Sequence, residues 1–201
     1  MLTASAMRNT SLILMSMYRF CIFVFIMEIL NLHIFTIGYA NHNADSFIHL
    51  LKSNNINFLV DVRSIPYSKH NTIFSQNMLK NLLQSNNIKY KWMGDSLGGR
   101  RTDLTSETGL INDNEYDNDP IYKNGIAELL RLSLQKVICL MCSEEDPREC
   151  HRHMIIANTL IKRKFEHCAK INDIDVTHIR ADGRKEDAKK IPVHIQLKLF
   201  K

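Results

Sequence analysis

The chain has 201 residues, 45% of them hydrophobic and 23% charged, with a formal net charge of +5. That balance excludes a low-complexity or fibrous chain and fits a soluble globular protein with one compact domain, a real core and extensions. The charge is uneven: from Arg148 to Lys201 there are 13 Lys and Arg against 7 Asp and Glu. This basic quarter permits an anionic small molecule or a nucleic acid as partner, although a solvated basic face is the simpler reading. Five cysteines (Cys21, Cys139, Cys142, Cys150 and Cys168) are odd in number and show no disulfide ladder. They point to a reducing cytoplasm, with any special cysteine reactive or metal-bound rather than bridged.

In chain order, "SLILMSMYRFCIFVFIMEIL" (Ser11–Leu30) is apolar but interrupted by Arg19 and Glu28. Its unbroken run, Cys21 to Met27, is too short to span a bilayer, so no membrane is expected for the main domain. Residues 1–31 are read as an N-terminal extension, a weak anchor or a gene-model artefact, with translation expected to start at Met27. "LHIFTIG" (Leu32–Gly38) predicts a strand closed by a glycine. "ADSFIHLLKSNN" predicts a helix capped by Asn43. "INFLVDVR" (Ile56–Arg63) predicts a buried strand. "SQNMLKNLLQSNN" predicts a helix capped by Ser75, with Met78, Leu79, Leu82 and Leu83 on one face.

"IKYKWMG" (Ile88–Gly94) alternates like a strand, and the polar, acidic stretch Thr105–Pro120 reads as an exposed loop. "PIYKNGIAELLRLSL" predicts a helix opening at Pro120. "KVICLMC" predicts a strand, "ECHRHMIIANTLIKR" a helix and "IDVTHIR" (Ile174–Arg180) a last strand. The alternation predicts an α/β fold over 32–180: a Rossmann-like, doubly wound, mostly parallel five-stranded sheet with helices on both faces. Residues 181–201 are read as a basic C-terminal tail.

In such sheets ligands gather beyond the carboxyl ends of the strands. The segments expected there are "GYANHN", "DVRSIPYSKHN", "GDSLGGRRTD", "CSEEDPRECHR" and "RADGR", the Gly- and Arg-rich parts of the chain. One cleft is therefore predicted to bring Arg63, Gly99, Cys142 and His151 together.

The strings "TIGYANHNADSFIHLLKSNNINFLVDVRSIPYS", Phe74, "IKY", "LGGR" and "CSEEDPRECHR" occur in an order that resembles domain-of-unknown-function family 488. The resemblance runs from about Ile34 to Arg180 and rests on the paired "DVRSxPxS" and "CxExxPxxCHR" motifs. It implies an α/β domain beginning just before "TIG" and brings no established reaction. Ala40 stands where the family often has a small hydroxyl residue.

The densest chemistry is in Cys142–His153. Cys142 is expected at a strand end and Cys150 at a helix start, where free N–H groups and the helix dipole favour a thiolate. Arg152 and Arg148 reinforce that and could hold an anion, whereas Glu144, Glu145, Asp146 and Glu149 oppose it. Cys139 reads as a small buried side chain. A metal set of Cys142, Cys150, His151 and His153 is weighed against its spacing: adjacent Cys–His ligands are awkward, and no metal or cofactor is predicted. His151 is expected to face the cleft and His153 the outer side of the helix.

Asp61 is a candidate acid/base or an orienter of Arg63. Gly38, Tyr39, Arg63, Ser64, Gly98, Gly99, Arg100, Glu144 and Arg152 are the candidate substrate-binding residues, with Cys142, Cys150, His151 and Asp61 the candidate catalytic ones. These residues predict an enzyme acting on a phosphate-bearing substrate: a nucleotide, nucleoside or nucleic acid. A non-catalytic nucleotide or nucleic-acid binding module with structural cysteines is the alternative. Rhodanese-like sulfur transfer ranks lower, because the loop after Cys142 carries acids in place of a glycine-rich cradle.

Overall fold

A computed structural model describes residues 30–99, 116, 118–162 and 171–192. The chain divides into two compact units. Met1–Asn31 with Phe165–Asn172 form one, and nearly all of it lies outside the described residues. Leu32–Lys164 with Asp173–Lys201 form the other, which carries the site. Residues 1–29 of the N-terminal extension, most of the Thr105–Pro120 loop and residues 193–201 of the tail also lie outside the described residues.

Strand β1 (Leu30–Gly38) leads to helix α1 (Ala44–Ser53), β2 (Phe58–Asp61), α2 (Gln76–Ser85), β3 (Lys89–Trp92) and the one-turn α3 (Gly94–Leu97). Then come α4 (Pro120–Ser133), β4 (Ile138–Cys142), a π-helical segment (Arg152–Ala157) that continues into α5 (Asn158–Lys162), β5 (Ile171–Ile179) and β6 (Lys185–Asp187). The strands form one six-stranded sheet in the order β3-β2-β4-β1-β5-β6. The pairs β3–β2, β2–β4 and β4–β1 are parallel, and β5–β6 is antiparallel. The fold is thus α/β with a mostly parallel sheet. It has one strand more than the alternation predicts, because β6 is a three-residue hairpin return too short to leave a period in the sequence.

Local chemistry explains the helix ends. Asn43 caps α1, its side chain accepting from the Ser46 N–H at 2.8 Å. Asp119 caps α4 by accepting from Ile121 and Tyr122 N–H groups ahead of Pro120. Ser75 makes no such bond; its hydroxyl ties to Ser68 instead. Helices α1 and α2 end on the same device. Asn55 (φ 56°) and Asn87 (φ 60°) take the left-handed conformation that asparagine tolerates. The N–H groups of Ile56 and Ile88 then reach back to Leu51 and Leu83 carbonyls, at 3.0 and 2.9 Å. The repeated "SNNI" therefore turns the chain directly from each helix into the next strand.

Phe35, Ile37, Leu59, Cys139 and Met141 on one sheet face pack with Phe47, Leu51, Leu79 and Leu83 of α1 and α2. Each such fully buried side chain stabilises the fold by about 1.5–3 kcal/mol. Met78 does not join this face: it is 51% exposed, one position off the Leu79–Leu83 stripe. On the opposite face, Thr36 of β1 bonds to Arg152. The Tyr122 hydroxyl joins α4 to α5 through Thr159 at 3.0 Å. Helices accordingly cover both faces. No helix among the described residues is long and apolar enough to cross a membrane.

The register fixes the site. Gly38 pairs with Cys142, Asp61 with Met141, and Asp61 with Trp92. Four parallel strands end level, and their outgoing loops emerge along one edge.

Candidate functional site

Cys142 closes β4, and Cys150 follows a one-turn helix (Pro147–Glu149) that Asp146 caps. Cys150 is extended (φ −131°, ψ 137°), and its carbonyl accepts from His153 and Met154 N–H groups. That is the geometry of a helix N-cap, so the sulfur sits at the positive end of the following helix. The first turns of that helix are π-helical, a wound form that recurs at functional sites.

The two sulfurs share one acceptor. Glu144 Oε2 lies 3.0 Å from Cys142 Sγ and 3.1 Å from Cys150 Sγ. His151 Nδ1 lies 3.6 Å from Cys142 Sγ and 3.9 Å from Cys150 Sγ. The other ring nitrogen, Nε2, is 3.1 Å from the Val62 carbonyl oxygen. A carbonyl only accepts, so Nε2 carries a proton, and in the neutral ring Nδ1 turns a lone pair toward both thiols. Both cysteines are buried, whereas His151 keeps partial contact with solvent.

The two thiols differ in acidity. A hydrogen bond to Cys150, then burial and the negative Glu144, hold the Cys142 thiol well above its ordinary value. Burial alone would raise Cys150 too, but the Cys142 hydrogen bond, the Arg152 guanidinium and His151 outweigh it and pull that thiol well below the ordinary range. Burial also works against a charged His151, yet Cys150, Glu144 and the Val62 carbonyl push its pKa up. These contacts make Cys150 the more acidic of the two thiols and Cys142 the one that holds its proton.

Arg152 differs from the sequence expectation. It is fully buried, and it donates from Nη1 to the Glu144 carbonyl at 2.5 Å, from Nη2 to the Glu145 carbonyl at 2.7 Å and from Nε to Thr36 Oγ1 at 3.3 Å. With Nε, Nη1 and Nη2 each engaged by a protein oxygen, it shapes the loop that carries Glu144. His153 also departs from the expected outer face. It is 1% exposed, and its Nδ1 lies 3.0 Å from Nε2 of buried His178, whose Nδ1 meets Thr36 Oγ1 at 2.7 Å. His153 is therefore turned away from the sulfurs.

Asp61 is fully buried and fully engaged. Its carboxylate accepts from the Arg63 backbone N–H at 3.1 Å, Arg63 Nε at 2.9 Å, Arg63 Nη2 at 2.6 Å and the Tyr90 hydroxyl at 2.9 Å. It orients Arg63 and is not placed to exchange protons with a substrate. Arg63 is 4% exposed, its guanidinium carbon 5.0 Å from the Tyr39 ring centroid. Its Nη1 is buried and meets no acceptor at hydrogen-bond distance among the described residues. Tyr39 is held from below by Phe74, the rings stacked at 4.6 Å.

The glycines allow close approach. A side chain at Gly38 would overlap the Glu144 carbonyl, so only glycine lets the β1 and β4 loops touch. At Gly99 a Cβ would stand 2.6 Å from His151 Cγ, which places "LGG" against the imidazole. Gly98 and Ser64 abut one another. Arg100 lies outside the described residues. Around the rim, Arg180 grips Glu145 with two bonds, at 2.7 and 2.9 Å, and Arg148 and Arg184 pair with Asp146 and Asp182.

The structure thus brings Cys142, Cys150, His151, Glu144, Gly99 and, through Val62, the Arg63 loop to one edge. Sequence reading missed the Val62 carbonyl, because a backbone acceptor leaves no trace in residue type. It also missed the Thr36–His178–His153 chain, for which a lone threonine inside the apolar "HIFTIG" is the only signal.

Fold and site together define an α/β protein with two buried thiols beside an imidazole and an exposed carboxylate at the carboxyl edge of a parallel sheet. The family model for the domain of unknown function DUF488 matches residues 43–159, and the chain belongs to that family. Searches of curated proteins and of solved structures return no match.

Proposed function

We propose that this protein is an enzyme that attacks a phosphate-bearing substrate (a nucleotide, a nucleoside phosphate or a nucleic-acid end) with the Cys150 sulfur. The observation that carries the reading is the His151 ring, tied by Nε2 to the Val62 carbonyl so that Nδ1 faces the thiols at 3.6 and 3.9 Å. An imidazole so oriented takes the thiol proton and later returns it to a leaving group. In the step proposed, a bond forms from Cys150 sulfur to the electrophilic atom of the substrate. The leaving group departs with its electron pair and collects the proton from His151 Nδ1.

The anion is assigned to Arg63. A buried guanidinium donor without an acceptor among the described residues is unusual in a folded protein and supports a partner supplied from outside. Arg152, Arg148, Arg180 and Arg184 are engaged by protein oxygens, so they support no such role. Rhodanese-like transfer is disfavoured by Glu144, whose carboxylate faces both sulfurs where a persulfide anion would need donors.

Melting of wild type, Cys150→Ser and Arg63→Lys with inorganic phosphate and nucleotides, alongside mass spectrometry of co-purified ligand, tests the reading. A phosphate compound should raise the melting temperature of wild type and Cys150→Ser but not of Arg63→Lys, and only wild type should turn it over. Protection without any Cys150-dependent turnover would leave a binding module, and no protection by any phosphate compound would reject the substrate class.

A further inference from the structure

We propose that Cys142, Cys150, His151 and Glu144 form a binding site for a soft divalent cation, zinc above all. The inference does not rest on the proposed activity, and metal binding and nucleophilic attack by Cys150 exclude one another at any instant.

The ligand atoms Cys142 Sγ, Cys150 Sγ and His151 Nδ1 lie within 4.8 Å of one another. Glu144 Oε2 adds a fourth atom, 3.0 and 3.1 Å from the two sulfurs. A tetrahedral zinc with Zn–S near 2.3 Å and Zn–N or Zn–O near 2.0–2.2 Å requires its ligand atoms roughly 3.4–3.8 Å apart. The sulfur–nitrogen separation of 3.6 Å meets this as it stands, that of 3.9 Å needs a small closure, and the carboxylate needs to retreat by about half an ångström, an easy motion for an exposed glutamate.

The groups that hold these ligands fit as well. A metal-binding histidine characteristically gives its other N–H to a carbonyl or carboxylate, which fixes the ring and its tautomer. His151 does this with the Val62 carbonyl at 3.1 Å. Arg152 holds the Glu144 and Glu145 carbonyls, which fixes the loop that presents the carboxylate. Two thiols and an imidazole select zinc or another soft ion over magnesium or calcium, whose sites are built of oxygens. On binding, both S–H protons leave to solvent, the sulfurs bind as thiolates, and Nδ1 binds through its lone pair. The sequence argued against a metal on two grounds, the long Cys–Cys spacing and the adjacent Cys150–His151 pair. The structure removes both, because the loop folds back on itself and Cys150 is extended while His151 begins the helix.

The test uses full-length, reduced protein stripped of metal and loaded with zinc or cobalt(II) alone. One equivalent of zinc should bind against a chromogenic chelator. Cobalt(II) should give sulfur-to-cobalt charge transfer and the intense visible bands of a tetrahedral site. Cys142→Ser, Cys150→Ser and His151→Asn should each weaken zinc binding by more than about 100-fold, beyond the 10–100-fold typical of outer-shell changes. Cys139→Ala should leave it unchanged. If those variants fail to fold, alkylating both sulfurs of the wild type should abolish uptake. No bound zinc, a pale octahedral cobalt spectrum, or zinc binding that survives alkylation would overturn the proposal. Thiol reactivity of the metal-free protein is a separate measurement, so the site and the proposed activity can fail independently.

Discussion

The His151 ring donates from Nε2 to the Val62 carbonyl oxygen at 3.1 Å, joining the loop after β2 to the loop after β4. Gly99 presses on the other side of the ring, where a Cβ would stand 2.6 Å from Cγ. The imidazole is thus held by backbone, and its position depends on a residue that carries no functional group. Gly99→Ala should push the ring off Val62 and slow Cys150 alkylation severalfold, with only a small change in melting temperature. Alkylation kinetics beside a melting curve check this. Equal rates would show that the ring is not fixed from that side.

Arg152→Ala should unfold the β4 loop rather than impair anion binding. The substitution strands two part-buried carbonyls that a cation now satisfies. Hydrogen bonds to charged groups are worth about 1.5–3 kcal/mol each, so the loss is about 3 kcal/mol or more. For a chain of this size that is roughly a 6–12 °C fall in melting temperature. Inorganic phosphate should protect wild type and variant by equal amounts. A variant as stable as wild type that has lost phosphate protection would return Arg152 to the substrate.

At the neighbouring strand end, Asp61→Asn should cost about 3–5 kcal/mol, because it leaves the Arg63 charge buried without its carboxylate. Tyr90→Phe removes only one of the bonds to Asp61 and should cost about 1 kcal/mol. Urea denaturation of both variants checks the order. Equal, small losses would mean that Asp61 is not holding Arg63 in place.

The buried histidine chain predicts an acid-side loss of stability. Burial first, then the Arg152 and His153 charges, lower the His178 pKa from 6.5 to about 2. Above pH 6.5 the ring is neutral in folded and unfolded chain alike, and its titration costs nothing. As pH falls below that value the unfolded chain takes up a proton that the folded one refuses, so stability drops by up to about 1.4 kcal/mol per pH unit. Stability measured from pH 7 to 5 should fall for wild type and fall less steeply for His178→Gln, the remaining slope coming from His33, His42 and His153, whose pKa values burial also lowers. An unchanged slope in the variant would place the titration elsewhere.

The strand–helix alternation was legible because each element has its own period and punctuation: Asn43 before α1, Pro120 at the start of α4, and apolar runs for β2 and β4. The common edge was legible too, since parallel strands must all end on one side. Met78 and β6 were not, because a one-position offset on a helix and a three-residue strand lie below the resolution of periodicity. In the site, Cys142, Cys150 and His151 stood out by residue type. The part played by Arg152 did not, because a buried arginine that serves carbonyls and an exposed one that awaits an anion are the same letter. The engagement of Asp61 with Tyr90 spans 29 residues and arises from strand pairing alone.

The role proposed for Cys150, a nucleophile prepared by its neighbours, is open to measurement through its alkylation rate. Metal-free, reduced protein is treated with a negatively charged alkylating reagent near pH 7, and modification at each cysteine is followed by peptide mass spectrometry. Cys150 should react well ahead of Cys142 and of an ordinary thiol, and His151→Asn should remove most of that advantage. Cys150 modified no faster than an ordinary thiol, with no response to His151→Asn, would overturn that role.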